Sequence, residues 1–342
     1  MQELDNWGLL DNWATAQPNV ANKSLDWYPN YSVIDLDSLE FHPEAYRRYR
    51  TDAAHHLATG KKIVLAISGG VDSQAMLQSF TEAGIDFDIA SMVFEREFNS
   101  QDMDFARAVA RKYNKDLVEV KLDVFKFLHY HLDSYAEKYQ CNSPQFACHH
   151  WFYEQLIEQG YDCIVAGGQT WYPLHFDKWC WTNTPARHAW WTFAKVNNFA
   201  LHGNFLASTW QMNFSVALNY DLVGAREPGV KVDDEYWRIQ SLEQYARKVR
   251  AFKRYGFDII PQEHKFTGFE KVKDYFNNAA NDPYNFEIRF RYPYEQRWPL
   301  IKGELVLEES FSNRLLDIKK STASLNTWTW VTEQSSPVKL TV

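Results

Sequence analysis

The stretch VLAISGGVDSQAM, residues 64–76, decides the fold of this chain. It runs from a short apolar segment, through two adjacent glycines, directly into a helix-like sequence. A continuous apolar run of this length is typical of a strand that is buried on both faces of a sheet. Gly69 and Gly70, followed by Asp72 and Ser73, are typical of a tight turn that opens a helix. The stretch therefore predicts one strand–turn–helix unit of a parallel sheet.

The residues on both sides of this stretch repeat the alternation of strand and helix. Helices are predicted over 43–59, 73–83, 100–113 (with Asn99 or Ser100 as its cap), 124–139 and 143–159, and strands over 63–67, 87–94, 117–122 and 161–166. Strands that alternate with helices predict an α/β fold, a doubly wound parallel sheet with right-handed crossovers. Ligands of such sheets bind at the carboxyl ends of the strands, which is where the two glycines lie.

The pattern changes after about residue 170. Residues 171–220 are rich in Trp, His and Asn and predict mostly helix and loop, 240–255 predict a basic amphipathic helix, 268–278 a short helix, and 285–332 a hairpin or two. We expect three parts: an N-terminal arm (1–42), a nucleotide-binding domain (43–170), and a mainly helical, aromatic-rich C-terminal substrate or lid region (171–342) that packs on it.

Composition limits the class of protein. The chain has 342 residues, a net charge of −8 and 16% aromatic residues, including 14 Trp. An acidic balance argues against a broadly basic nucleic-acid surface. The sequence contains no run of 18 apolar residues, so we expect no membrane span. The first residues lack the pattern of a signal peptide. Four cysteines in this length do not form a disulfide framework, so we expect a cytoplasmic protein.

The segment 68–73, Ser-Gly-Gly-Val-Asp-Ser, is called the glycine turn below. A helix N-terminus offers unpaired backbone N–H groups and a positive dipole end. Two glycines allow phosphate oxygens to approach that backbone, and the hydroxyls of Ser68 and Ser73 add donors. A carboxylate would repel phosphate, but Asp72 is explained if Mg²⁺ lies between them. The glycine turn therefore predicts a site for a magnesium-bound polyphosphate; the alternative is a plain glycine turn with an Asp/Ser helix cap.

The glycine turn resembles the SGGxDS PP-loop of the N-type ATP pyrophosphatases, whose fold is adenine-nucleotide α-hydrolase-like (HUP). The resemblance covers about residues 45–170. It implies ATP and Mg²⁺ as cofactors, cleavage of ATP to AMP and pyrophosphate, and adenylation of an acceptor. It also implies Asp72 as the metal ligand and Asp72 and Ser73 as catalytic residues. The residues implied to contact the nucleotide are Ala66, Ser68, Gly69, Gly70, Val71, Ser73, Met92, Val93, Phe94, Gly167 and Gly168.

Two further residues are candidates for catalysis. The segment 260–269 loosely resembles the R-x-K-x-G-F segment of asparagine-synthetase-like enzymes, which makes Lys265 a candidate to stabilise the leaving pyrophosphate; Gln or Glu stands in place of its Arg. Cys148, near a predicted helix N-terminus, is a candidate reactive thiol with a lowered pKa. Cys141, Cys148 and His149 could also bind a metal, whereas the plain alternative is a small buried side chain. The other histidines are predicted to be surface or packing residues.

Three functions remain open from the sequence. The first is an AMP-forming ligase that adenylates a small molecule, nucleobase or nucleotide for attack by an amine or ammonia. The second is a PP-loop sulfurtransferase or reductase that uses Cys148. The third is a nucleotide-binding module without catalysis. Nucleic acid is a less favoured substrate, because the cluster of Lys and Arg at 247–254 is typical of a solvated helix face. A homo-oligomer is compatible with the sequence.

Overall fold

The fold is built around a parallel sheet of five strands. The computed structural model describes residues 38–139, 144–167, 193–194, 196–202, 205–219, 246, 248–262, 268–269 and 271–272, and the backbone of three short strands at 172–174, 178–182 and 304–306. The strands of the parallel sheet are β1 (Ile63–Ala66), β2 (Asp88–Phe94), β3 (Leu117–Leu122), β4 (Cys163–Ala166) and β7 (Ala200–His202), in the order β3-β2-β1-β4-β7.

Helices precede and follow these strands along the chain. They are α1 (Pro43–Leu57), α2 (Val71–Glu82), α3 (Ser100–Lys112), α4 (Val124–Tyr130), α5 (Leu132–Tyr139), α6 (Pro144–Glu158) and α7 (Trp210–Leu218). Residues 248–254 are also helical. The predicted doubly wound α/β class is therefore confirmed, and the sheet is consistent with a HUP-like fold.

Different helices cover the two faces of the sheet. Because successive side chains of a strand point to opposite faces, neighbouring residues of β1 contact different helices. In β1, Leu65 packs with residues of α1, α2 and α3, whereas Val64 packs with residues of α6. Both side chains are fully buried. A strand that is buried on both faces needs apolar residues at every position. This is the physical reason for the continuous apolar run that precedes the glycine turn.

Most predicted elements of the first half lie within two residues of their predicted bounds, and three differences bear on the site. Helix α2 begins at Val71, two residues earlier than predicted, because the turn from β1 is completed by residue 70. The helix predicted over 124–139 is two helices, α4 and α5, that meet at His131. The side chain of Asn99 precedes α3 but does not cap it; instead it bonds the backbone of Met92 and Phe94.

The prediction of mostly helix and loop for 171–220 is wrong where this segment forms three strands, β5 (Tyr172–Leu174), β6 (Lys178–Thr182) and β7. Strand β7 pairs in parallel with β4, so the sheet continues past residue 170. Strands β5 and β6 form an antiparallel pair, which is joined by β8 (Glu304–Val306). Within the described residues, no helix is long and apolar enough to cross a membrane. Of the N-terminal arm predicted at 1–42, residues 1–37 lie outside the described residues.

His202, at the end of β7, gives the fold a dependence on pH. The side chain is buried, and burial lowers its pKa to about 4, with a smaller contribution from His56. The unfolded chain binds a proton at this histidine near its ordinary pKa of 6.5, whereas the folded chain does not. The contribution of the neutral His202 to the free energy of unfolding is therefore fully present above about pH 6.5 and is lost as the pH falls toward about 4.

We expect His202→Gln to remove this part of the pH dependence. In the natural protein, His202 alone should lower the free energy of unfolding by about 2 kcal/mol between about pH 7.5 and about pH 4.5. Urea unfolding at the two pH values measures this difference. The exposed His55 of α1 is the matched control, because His55→Gln removes an imidazole at the surface and leaves His202 buried, so the difference should be kept. An equal pH dependence in His202→Gln and the natural protein would contradict the prediction.

Candidate active site

The glycine turn joins the carboxyl end of β1 to the first turn of α2. Gly70 caps the helix with its backbone alone, in an extended conformation and without a side-chain hydrogen bond. The first backbone N–H groups of α2 therefore face the end of the sheet. Strand β1 pairs with β2 on one side and with β4 on the other, and the chain crosses between these sides after β3, so the turn stands at the point where strand order reverses. Ligands of doubly wound sheets bind at this point.

Gly69 is required by the packing of the turn. Its φ is +74°, and a Cβ at this position would lie 2.6 Å from the backbone N of Ala106 and 2.7 Å from the carbonyl carbon of Phe105. Both atoms belong to the backbone of α3, which cannot move aside as a side chain can. Gly69 thus brings the glycine turn against α3, and a residue with a side chain would separate them.

Hydrogen bonds of three side chains fix the shape of the glycine turn. The hydroxyl of Ser73 accepts a bond from the Ser68 N–H at 3.1 Å and lies 3.3 Å from the Ser68 hydroxyl. The Gln74 amide donates to the Gly69 carbonyl at 2.9 Å and to the Ile260 carbonyl at 2.9 Å. Its oxygen accepts from the Ile260 N–H at 2.7 Å. Gln74 is buried, and it joins the turn to a segment far along the chain.

Asp72 forms an ion pair in the first turn of α2. Lys248 donates from Nζ to Asp72 Oδ2, and these side chains are only 12% and 22% exposed. The second carboxylate oxygen, Oδ1, is buried and has no hydrogen-bond partner among the described residues. A buried carboxylate oxygen without a donor is costly, and a bound cation would satisfy it. Asp72 therefore fits the magnesium ligand that the sequence predicts.

A cavity of about 290 Å³ opens beside the glycine turn. Its walls come from the ends of β1, β2 and β4, from the first turn of α3, and from α6. Phe94, Phe152 and Phe269 give it an apolar part, and Asn99, Gln145 and Gln262 give it a polar part. Its volume is about that of a pocket for a small molecule. The site thus combines the glycine turn with an adjoining space of mixed polarity.

The structure brings most of the predicted nucleotide residues together. Seven of them line the cavity: Ala66, Ser68, Gly70, Ser73, Met92, Phe94 and Gly167. Gly69, Val71 and Val93 do not form its walls, because Gly69 packs on α3 and Val71 packs into the core. Gly167 lies so close to α2 that a Cβ there would be 3.1 Å from Asp72 Cβ. Gly168 and Lys265 lie outside the described residues.

Cys148 is not in the environment of a nucleophile. Its side chain lies in α6, fully buried in an apolar cluster with Phe127 and Leu128. Burial raises the pKa of this thiol well above its usual value, which is opposite to the lowered pKa that we expected of a reactive cysteine. The structure therefore corrects that expectation. Cys141, its potential partner in a metal site, lies outside the described residues.

Several residues of the site were missed by sequence reasoning. His149 was considered only as a metal ligand beside Cys141 and Cys148, but it lies in the cavity wall, and burial lowers its pKa to about 4. It is therefore a neutral imidazole at physiological pH. Its side chain is only partly buried, because it faces the cavity. Asp102 and Gln145 also line the cavity. Their one signal in the sequence is their position in the first turns of α3 and α6.

Metal binding by the protein alone is not indicated in the described part of the chain. No three His, Cys, Asp or Glu side chains lie close enough there to hold an ion together. Mg²⁺ at Asp72 does not require such a group, because phosphate oxygens and water complete its coordination.

Comparisons with known proteins find similar structures but no similar sequences. No protein-family model matches the chain, and no curated protein matches it significantly. NMN synthetase from Francisella tularensis aligns at 14% identity over 38% of this chain and 56% of its own, with a TM-score of 0.30. The chain thus spans little more than half the length of that enzyme.

Two further structures align with more of the chain. A predicted subunit of a tRNA methyltransferase from Methanocaldococcus jannaschii aligns at 13% identity over 54% of this chain and 88% of its own, with a TM-score of 0.32. The U34-tRNA thiolase NcsA from Methanococcus maripaludis, solved with a 4Fe-4S cluster, aligns at 14% identity over 74% and 89%, with a TM-score of 0.32. By its glycine turn and its parallel sheet, the chain resembles the PP-loop ATP pyrophosphatases.

Proposed function

We propose that this chain is a PP-loop ATP pyrophosphatase that transfers the adenylyl group of ATP to an acceptor. The observation that carries the proposal is the glycine turn, which presents the N-terminus of α2 and the carboxylate of Asp72 beside a cavity at the reversal of strand order. The N-terminus of a helix binds phosphate groups through its unpaired backbone N–H groups, and glycine leaves these groups accessible. A carboxylate at that place is compatible with phosphate only when a cation lies between them.

The reaction has two steps. An oxygen of the acceptor attacks the α-phosphorus of ATP, a new P–O bond forms, and the bond between that phosphorus and the oxygen bridging to the β-phosphate breaks. Pyrophosphate leaves with the electron pair. An amine or ammonia then attacks the carbon that bears the adenylated oxygen. The C–N bond forms, the C–O bond breaks, AMP leaves with the electron pair, and the nitrogen loses a proton to solvent. The backbone N–H groups of α2 and the hydroxyls of Ser68 and Ser73 bind the phosphates, and their fixed positions favour the charge that develops on pyrophosphate.

The residues present fit magnesium at one position. Asp72 would hold the ion through Oδ1, the oxygen that has no donor among the described residues. Magnesium would neutralise charge on the phosphate oxygens when it is bound. The remaining work belongs to the protein, which orients the triphosphate at the turn and keeps the base against the apolar wall near Met92 and Phe94.

ATP labelled at the α- and γ-phosphates tests the proposal. The purified protein is incubated with labelled ATP, Mg²⁺ and a metabolite extract, and the products are separated. We expect AMP and pyrophosphate to form only when the extract is present. Formation of ADP and phosphate would show that the glycine turn serves a different reaction. Binding of ATP without turnover in every extract would favour a nucleotide-binding module.

Cys148→Ala separates adenylation from sulfur transfer. The thiol is buried in an apolar cluster. Its replacement by alanine creates a small cavity there and does not alter the reacting groups. We expect AMP formation within about 2-fold of the natural protein and a free energy of unfolding lower by about 1 kcal/mol. Product assays and urea unfolding measure the two quantities. Complete loss of turnover with retained folding would support a sulfurtransferase or reductase that uses this thiol.

A further inference from the structure

We infer that Lys248 is a polyphosphate-binding residue that exchanges Asp72 for phosphate oxygens when the magnesium-bound nucleotide enters. The inference rests on the proposed function and extends it to a residue of the C-terminal half. Lys248 is 176 positions away from Asp72 in sequence, yet its ammonium group donates directly to the carboxylate beside the glycine turn. The pair is largely shielded from solvent, unlike an ordinary surface ion pair.

The charges around the site require a cation of this kind. Among the described residues that line the cavity, Asp102 carries a negative charge and no Lys or Arg is present. A polyphosphate in this space would meet the carboxylate of Asp102, with Asp72 in the adjoining first turn of α2, and would need positive charge in addition to the helix dipole. Lys248 provides it at the phosphate end of the site, and a lysine binds phosphate as a mobile point charge.

The position of Lys248 is fixed by the segment that carries it. Residues 249–259 pack into the same core as α1 and α2 through Val249, Phe252 and Tyr255. Arg50 donates to the Tyr255 carbonyl at 3.0 Å, and the Gln74 side chain bonds both backbone groups of Ile260. The backbone of the lysine is therefore held against α2. Only its flexible side chain has to move to reach a phosphate.

The exchange explains why one carboxylate can have two partners in turn. Without a ligand, Lys248 neutralises Asp72 through Oδ2, while Oδ1 lacks a partner among the described residues. With magnesium and polyphosphate bound, the cation takes the carboxylate, and the ammonium group is free to bind the phosphates. Each charge remains compensated in both states, which a buried ion pair requires.

Equilibrium binding tests this exchange without relying on turnover. Calorimetric titration with Mg²⁺ and α,β-methylene ATP, which cannot be cleaved between the α- and β-phosphates, is compared with titration with AMP. We expect Lys248→Met to weaken binding of the analogue by about 10-fold or more and binding of AMP by less than about 2-fold. Lys248→Arg keeps the charge and should restore most of the affinity for the analogue.

Two comparisons separate the exchange from a purely structural ion pair. Lys253→Met removes a charge from an exposed position of the same helix and should leave both affinities unchanged. Asp72→Asn removes the carboxylate that competes with phosphate for the lysine, so binding of the analogue in EDTA should become tighter than in the natural protein, while the gain from Mg²⁺ should shrink. Thermal unfolding of each variant shows that it is folded.

The outcomes distinguish the inference from the proposed function. If the natural protein binds the analogue and folded Lys248→Met binds it equally well, the inference fails and the proposed function stands. Equal weakening of AMP and analogue binding would assign Lys248 a structural role only and would also overturn the inference. If the natural protein binds neither the analogue nor magnesium pyrophosphate, both the inference and the proposed function fail.

Discussion

Asp72→Asn is expected to lower the rate of magnesium-dependent AMP formation by about 100-fold or more. Asparagine has the same shape as aspartate but lacks the negative charge that holds a cation beside phosphates. Asp72 Oδ1 faces no donor in the described structure, so the amide has no bond there that would replace the ion. Steady-state rates over a range of Mg²⁺ concentrations, with labelled ATP and extract, measure the effect.

Asp104→Asn is the matched control for this prediction. Asp104 lies on α3 with a side chain that is 74% exposed, and its partner is Arg107. Removing this charge should change the rate by less than about 2-fold, because exposed ion pairs contribute little. If folded Asp72→Asn kept the rate and the Mg²⁺ dependence of the natural protein, Asp72 would not be the magnesium ligand.

Gly69→Ala is expected to lower the free energy of unfolding by about 3 kcal/mol and to abolish tight nucleotide binding. The φ of +74° costs an L-residue about 1–2 kcal/mol. The new methyl group would in addition lie 2.6 Å from the Ala106 backbone N, and such crowding costs about 1–3 kcal/mol. Relief of the contact has to move the glycine turn away from α3. Urea unfolding and titration with α,β-methylene ATP measure the two effects.

Gly84→Ala separates the two causes. Gly84, after α2, has a similar φ of +68°, but no heavy atom lies within 4 Å of the position of an added Cβ. Its replacement should cost about 1 kcal/mol, which is the conformational part alone, and should leave nucleotide binding unchanged. Equal losses of stability in the two variants would show that the contact with α3 does not constrain the turn.

The first half of the fold was predictable because its signals are local. The continuous apolar runs of β1 and β4 follow from burial on both faces, and β3 lies at the predicted residues 117–122. Strand β7 was not predictable in the same way. Its three residues, Ala200–His202, are too few to show a pattern, and their pairing with β4 provides the hydrogen bonds that make them a strand.

The candidate site divides in a similar manner. Ser68, Gly70 and Ser73 were recognised because the chemistry of the glycine turn lies within six consecutive residues. Lys248 was not, since a basic residue on an amphipathic helix is most often solvated. Its contact with Asp72 depends on how a distant segment packs on α2. His149 and Cys148 are neighbours on α6, and the helix turns one toward the cavity and buries the other.

The sequence by itself determined the parallel sheet and the glycine turn at the end of β1. These depend on hydrophobic periodicity and on the conformations open to glycine, which act between near neighbours in the chain. The tertiary structure alone decided which distant side chains complete the site. Lys248, Gln262 and Phe269 reach it only through packing of the C-terminal half, because burial and electrostatic pairing depend on distances in space rather than in sequence.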